Sequence, residues 1–271
     1  MRILKSANSM IVSMVVLFAA GMLAAPIYAE IQSGSVVGIW LLDSIEGDTA
    51  TDSSGNGHDG TVNGGPELVA GKFGNAVSFD GADDVVDCGN AESLNLGTFT
   101  VAFWANVPAT QGWNHIISKG DHVGSGTPGS VNWGVMMRSG EARFLYEIYQ
   151  DTSWTGISAP EVPLNEWQHL AATYDGDKME FFLNGVSLGS SVGIKVKLDA
   201  SRSFLIGARG SASPAAYFNG SIDEVALFNA VLTLEDIQSL MTDGLSVVLG
   251  TAAVSPAGKS ATTWAGIKDQ Y

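Results

Sequence analysis

A single cysteine, Cys88, occurs in 271 residues. A lone thiol cannot close a disulfide within its own chain, so no cross-linked scaffold holds this fold together. In its VVDCG setting Cys88 reads as a small buried hydrophobe. Positive charge is also scarce, with 13 Lys and Arg against 28 Asp and Glu. The resulting net charge of −15 repels nucleic acid and anionic membrane surfaces. The four histidines, His58, His115, His122 and His169, lack zinc-ligand spacing. No G-x-S-x-G elbow, P-loop or dinucleotide fingerprint is present. No fixed-period repeat argues for a propeller or solenoid, and no low-complexity linker divides the chain.

One apolar run does occur, from Met10 to Leu23, behind Arg2 and Lys5 and ahead of the small-residue stretch Ile27-Tyr28-Ala29. That order of regions predicts a signal peptide over residues 1–29, cleaved before Glu30. The run is short for a membrane span, which needs about 20 apolar residues. Removing Arg2 and Lys5 leaves 11 basic residues against the same 28 acids, a charge of −17 on the remaining chain. Residues 30–245 then form one domain, and residues 246–271 a C-terminal extension, read as an added strand and a loose tail. The expected setting is secreted or cell-surface, with no membrane insertion after cleavage.

What is abundant is glycine, at 33 residues, spaced between short strand-like runs. Residues 99–107 alternate Phe, Val, Phe, Ala and Val with Thr, Ala, Trp and Asn. Residues 133–138 and 142–149 alternate in the same way, which is the period of a strand. Trp40, Trp104, Trp133 and Trp167 fall inside such runs and are expected in or against a core. Asn184-Gly185, between FFL and VSL, is a two-residue hairpin signal, so residues 167–190 read as a three-stranded meander. One helix is legible. Thr233 caps it with Asp236 three residues on, Leu234, Ile237, Leu240 and Met241 form its apolar stripe, and Gly244 ends it.

Two turn-rich acidic segments stand out. Residues 52–60 read DSSGNGHDG, and residues 71–89 read GKFGNAVSFDGADDVVDCG. Aspartates and exposed carbonyls are calcium ligands, which nominates Asp52 and Asp80. The same residues build Asx-turns and cap backbone amides, which is the competing reading.

Together with WQHLAATYDG at residues 167–176 and NGSIDEVALFNAVLTLEDI at residues 219–237, these segments resemble the laminin-G-like, concanavalin-A-like jelly-roll family over residues 36–245. The resemblance implies an all-β, two-sheet antiparallel jelly-roll sandwich with one short C-terminal helix. It also implies a structural calcium at the sandwich edge, held by turn carbonyls and a late-strand aspartate. The matching residue is Asp223, in SIDEV, with Asp43 of WLLDS expected close by.

For a ligand, flat aromatic rings beside polar side chains suit sugar rings and their hydroxyls. Trp154, with Asp151 beside it and Tyr149 nearby, is the nominated carbohydrate subsite. Catalysis finds less support. A retaining glycanase needs two carboxylates about 5 Å apart. Glu141 and Glu147 share a strand face but lie too far apart, and adjacent Asp223 and Glu224 are expected on opposite faces. A lyase would converge basic and tyrosyl groups, for which Arg143, Tyr149 and His169 are weak candidates. The expectation is an exported, non-catalytic module that binds carbohydrate or an extracellular protein, with calcium as its ion. The alternatives are a scaffolding surface protein without a small ligand, or a glycan-active hydrolase or lyase.

Overall fold

The computed structural model describes residues 31–120, 131–150, 153–196, 198–210 and 215–250. Segment 1–29, Asp151 and the extension beyond residue 250 lie outside the described residues.

The strands, in chain order, are β1 (Val36–Trp40), β2 (Thr49–Ala50), β3 (Gly60–Asn63), β4 (Glu67–Ala70), β5 (Asn75–Asp80), β6 (Val85–Asp87), β7 (Phe99–Asn106) and β8 (His115–Gly120). They continue as β9 (Val131–Met137), β10 (Phe144–Gln150), β11 (Ser153–Ser158), β12 (Trp167–Tyr174), β13 (Met179–Leu183), β14 (Val186–Ser191), β15 (Phe204–Ile206) and β16 (Asn219–Phe228). They form two antiparallel sheets of eight strands. One runs β14-β13-β12-β7-β16-β5-β4, with β1 also paired to β16; the other runs β11-β10-β9-β8-β15-β6-β3-β2. The chain is therefore an all-β sandwich of jelly-roll type.

Alternation sets the core. Phe99, Val101 and Phe103 of β7 meet Trp133, Val135 and Met137 of β9 and Phe144, Tyr146 and Ile148 of β10 between the sheets. Phe99 stacks on Trp133 at 4.4 Å, and Trp40 stacks on Phe204 at 5.2 Å. Tyr146, fully enclosed, donates its hydroxyl to the Thr173 carbonyl, so its polar end does not stay unpaired. The meander over β12, β13 and β14 forms as its sequence predicts. Asn184 and Gly185 both take positive φ, 49° and 71°. Of the tryptophans in strand runs, Trp40, Trp104 and Trp133 are buried, but Trp167, the first residue of β12, is only half-buried.

The helix α1 (Leu234–Asp243) carries the reciprocal cap between Thr233 and Asp236. Ile237 and Leu240 bury, together with Leu232, onto Ile39, Ala102, Ala171 and Phe228 on the outer face of the first sheet. Leu234, at the start of the expected stripe, stays 39% exposed. A four-residue turn of helix, α2 (Leu245–Val248), follows Gly244 and adds Leu245 to the same cluster. It takes the place of the start of the expected extra strand.

An irregularity interrupts β16. Its first half pairs with β5 and its second half with β1, and its register against β7 shifts between Asp223 and Ala226. Glu224 sits there with φ of 53°. The bulge places both Ile222 and Val225 in the inner core, so Asp223 and Glu224 turn to the outer side together. This corrects the expectation that adjacent residues point to opposite faces.

Candidate functional site

The outer face of the second sheet holds an open groove of about 310 Å³, lined by Trp113, His115, Met136, Glu147, Trp154 and Arg209. Strand pairing explains its floor. Glu147 of β10 lies opposite Gly134 of β9 on one side and Gly156 of β11 on the other. A Cβ on Gly156 would stand 3.0 Å from the Glu147 Cγ and 3.0 Å from the Leu145 Cδ1. A Cβ on Gly134 would stand 3.0 Å from the His115 ring. Two glycines thus leave the space above the sheet open around one carboxylate. Burial pushes the Glu147 carboxyl up to about 7, so it titrates near neutrality.

Aromatic side chains border this floor. Tyr149 and Trp154 are direct cross-strand partners, with ring centroids 4.9 Å apart and planes inclined at 52°. Trp113, from the loop before β8, is 50% exposed. Arg209 arrives from the loop after β15, and buried His115 begins β8. Indole faces offer C–H stacking surface, while a carboxyl and a guanidinium offer hydrogen bonds. That combination suits a ring bearing hydroxyl groups.

Of the three nominated ligand-binding residues, Trp154 and Tyr149 stand together here, and Asp151 is outside the described residues. Glu147, Arg209 and His115 join them. Glu147 attracts attention in the sequence only as half of a carboxylate pair. Its partner in that reading, Glu141, is tied to Arg138 and Arg143 at 3.2 and 2.9 Å. The convergence of Arg209 and His115 on Trp154 is tertiary and has no local sequence signal.

The four nominated metal residues fall in three places. Asp52 spends its oxygens on backbone amides. Oδ1 accepts from Ile39 N and Ser54 N, each at 2.9 Å, and Oδ2 accepts from His58 N at 2.9 Å. With the Trp40 indole donating to the His58 carbonyl at 2.8 Å, the DSSGNGHDG segment anchors β1. Asp80 caps the β5–β6 turn by accepting from Ala82 N, and its own N–H donates to Asp84. Carboxylate oxygens of Asp80, Asp83 and Asp84 lie within 4.8 Å of one another. Asp80 pairs with Asn219, four residues from Asp223, which is about 13 Å along a strand.

Asp43 and Asp223 do come together, on either side of the turn at residues 71–75. Asp223 Oδ2 accepts from Lys72 N at 2.7 Å and Phe73 N at 2.9 Å. Asp43 Oδ1 accepts from Asn75 N at 2.8 Å. Gly74, with φ of 60°, has no room for a Cβ, which would stand 2.1 Å from Asp43 Oδ1. The bulge adds Glu224, which accepts from Leu245 N. The second oxygen of Asp223, Oδ1, is buried with no hydrogen-bond partner. Burial, reinforced by the charges of Glu224 and Asp43, pushes the Asp223 carboxyl up to about 8. Burial and the Asp43 charge bring Glu224 to about 7. Among the described residues, the carboxylates whose oxygens all lie within 4.8 Å of one another are those of Asp80, Asp83 and Asp84, not those of Asp43, Asp223 and Glu224. The turn beside Asp223 offers one open, buried oxygen to a hard cation.

A family model for the concanavalin A-like lectin/glucanases superfamily matches residues 79–238. No curated protein matches the chain. Among solved structures, domain 4 of AbnA, an extracellular arabinanase from Geobacillus stearothermophilus, in complex with arabinotriose, is similar with a TM-score of 0.61 and 19% identity over 77% of this chain and 98% of that one. The binding domain of Paraclostridial Mosquitocidal Protein 1 follows with a TM-score of 0.62 and 15% identity, over 77% of this chain and 52% of that one. Trypanosoma rangeli sialidase in complex with sialic acid gives 0.59 and 18%, over 77% of this chain and 33% of that one. The chain thus spans about half of the mosquitocidal binding domain and a third of the sialidase, and the likeness to all three is one of fold. By its matched segment and its two-sheet architecture, the chain belongs to the concanavalin A-like lectin/glucanase superfamily.

Proposed function

We propose that this domain is a non-catalytic carbohydrate-binding module whose ligand lies in the Trp154–Glu147 groove. The observation that carries the reading is the glycine-floored groove itself, in which two indoles flank a half-buried carboxylate. Sugar C–H faces would stack on Trp154 and Trp113, and hydroxyls would meet Glu147 and Arg209. Among the described residues, Glu147 is the one carboxylate that lines the groove. A hydrolase would place a second carboxylate beside Glu147, so cleavage of a captured glycan that Glu147→Gln abolishes would favour that alternative. A solved domain of the same fold in complex with arabinotriose, 98% of which this chain covers, supports saccharide as the ligand class.

Calcium enters this proposal as a structural ion at the sandwich edge. Asp43 and Asp223 would hold it, with Glu224 beside them, and the open Asp223 oxygen supports that placement. The ion would supply positive charge to carboxylates that burial otherwise drives toward protonation. Asp52 spends both oxygens on backbone amides, and Asp80 lies apart from this turn, clustered with Asp83 and Asp84. Export, and a place outside the cell or at its surface, belong to the same reading and rest on segment 1–29. Intact mass of the secreted protein tests them, and a mature chain that still begins at Met1 contradicts cleavage.

The experiment for the binding reading is a glycan-array screen with and without calcium, repeated on Trp154→Ala. Retained glycans whose capture disappears with the indole support the groove. Wild-type protein that captures no glycan under either condition favours the scaffolding alternative.

A further inference from the structure

The opposite outer face, beside α1, carries a second depression of about 710 Å³. Its floor is Trp104 of β7, 5% exposed, whose indole N–H has no acceptor. Phe73 meets this ring edge-on at 6.4 Å, and the Lys72 ammonium lies 4.4 Å from its centroid. Beneath, buried His169 packs edge to face at 5.2 Å, with its Nδ1 also unpartnered. Half-buried Trp167 and exposed Glu166 form the far wall. Gln168 is fixed there by accepting from Asn184 Nδ2 at 2.7 Å, which leaves its amide nitrogen as a donor.

We propose that this depression is a second saccharide-binding site, so that the domain is bivalent, with one site on the outer face of each sheet. Lys72 already lies over the face of Trp104, so a further cation is repelled. Glu166 on the rim disfavours an anion. A purely apolar ligand would leave Glu166 and Gln168 unpaired as water is displaced, and would give no acceptor to the Trp104 N–H, which is already buried without one. A neutral, hydroxyl-bearing ring satisfies all of these. It stacks between Trp167 and Phe73, and its hydroxyls meet Gln168 and Glu166. Once the flexible Lys72 stem swings aside, another hydroxyl accepts from the Trp104 N–H. The site shares no residue with the Trp154 groove and stands on its own evidence.

The test is ¹H–¹⁵N spectroscopy of the tryptophan indole resonances in Trp154→Ala, which removes the principal stacking ring of the groove. The probes are arabinotriose, xylotriose, cellotriose and galactotriose at millimolar concentration. Trp104→Phe and Trp167→Phe assign the signals. The expected result is that one probe shifts the Trp104 and Trp167 indole signals in Trp154→Ala, and that Trp167→Ala in the same background abolishes the shift. If Trp167→Ala does not fold, Gln168→Ala serves in its place and is expected to weaken the shift. Movement of the Trp154 and Trp113 signals alone, in the wild type, overturns the second site and leaves the groove standing. No movement of any indole signal with any probe overturns both.

Discussion

The first sheet covers much of its outer face with its own chain: Ala102, Ala171, Ala226 and Phe228 lie beneath Leu232, Ile237, Leu240 and Leu245. The second sheet leaves Tyr149, Trp154 and the glycine-flanked Glu147 half-buried at an open groove, with no helix among the described residues laid over them. Small residues occur on both faces and do opposite things. Under α1, alanines let a helix approach and bury its apolar stripe. Around Glu147, glycines keep side chains away and leave a cleft. The first arrangement turns apolar area into stability, at roughly 25 cal/mol per Å² removed from water. The second keeps half-buried Tyr149 and Trp154 and exposed Trp113 beside polar groups at an open groove, an arrangement that suits a binding surface.

The sharpest way to break this contrast is to truncate one aromatic on each face. Phe228→Ala, at a fully buried position under α1, is expected to cost about 3–5 kcal/mol. Trp154→Ala, at a half-buried ring on the open groove, is expected to cost much less, about 1 kcal/mol. Urea unfolding of both variants checks this, and comparable losses would mean that Trp154 is core.

The next largest effect concerns Asp223. Its folded carboxyl is raised to about 8, above its ordinary 3.8, first by burial. A raised value favours the protonated form, so its contribution to stability is complete below about pH 4 and is lost as pH rises through about 8. Calcium, if held there as proposed, would bind the ionised form and oppose that loss, by about 2.7 kcal/mol at a hundred times its dissociation constant. The expected outcome is a calcium-dependent rise in Tm at pH 8 for the wild type. Asp223→Asn, which keeps an acceptor for Lys72 and Phe73, is expected to lose the calcium response and to be the more stable protein in chelator. A wild-type Tm that ignores millimolar calcium removes the ion from the account.

Much of this architecture is legible in the chain. Alternation marks β7, β9 and β10, Asn184-Gly185 marks the hairpin, and the Thr233–Asp236 cap marks α1. Each is a local rule with a local cause. The acidic motif at residues 52–60 is visible but ambiguous, because the same aspartate can face a cation or a backbone amide. Only the amides of Ile39, Ser54 and His58 show which one Asp52 takes. The bulge at Glu224 is not legible. A positive φ at glutamate has no compositional signal, and a strand read without it sends Asp223 and Glu224 to opposite faces. Trp167 sits in a strand-like run, yet it begins β12 beside an outer depression, so pattern alone overstates its burial.

A smaller effect separates Glu147 from the other raised carboxyls. Its folded value of about 7 lies above its ordinary 4.5 because of burial. Its contribution is therefore complete below about pH 4.5 and is lost as pH rises through about 7. Asp223 and Glu224 titrate in the same sense. The difference between the wild type and Glu147→Gln isolates Glu147. The fall in Tm from pH 5 to pH 8, measured in chelator, is expected to be shallower in Glu147→Gln. Equal slopes would mean that the Glu147 carboxyl is solvated. The smallest expected effect is that of Trp113→Ala, which is predicted to weaken saccharide binding less than Trp154→Ala because half of Trp113 faces solvent.

The most direct test of the groove is calorimetric titration of wild type and Trp154→Ala with the best ligand from the glycan array, beside the Tm of each protein. Trp154→Ala is expected to leave Tm nearly unchanged and to weaken binding at the groove by at least about tenfold, equivalent to about 1.4 kcal/mol. Unchanged affinity at an unchanged Tm would contradict the placement of the ligand on the open face of the second sheet.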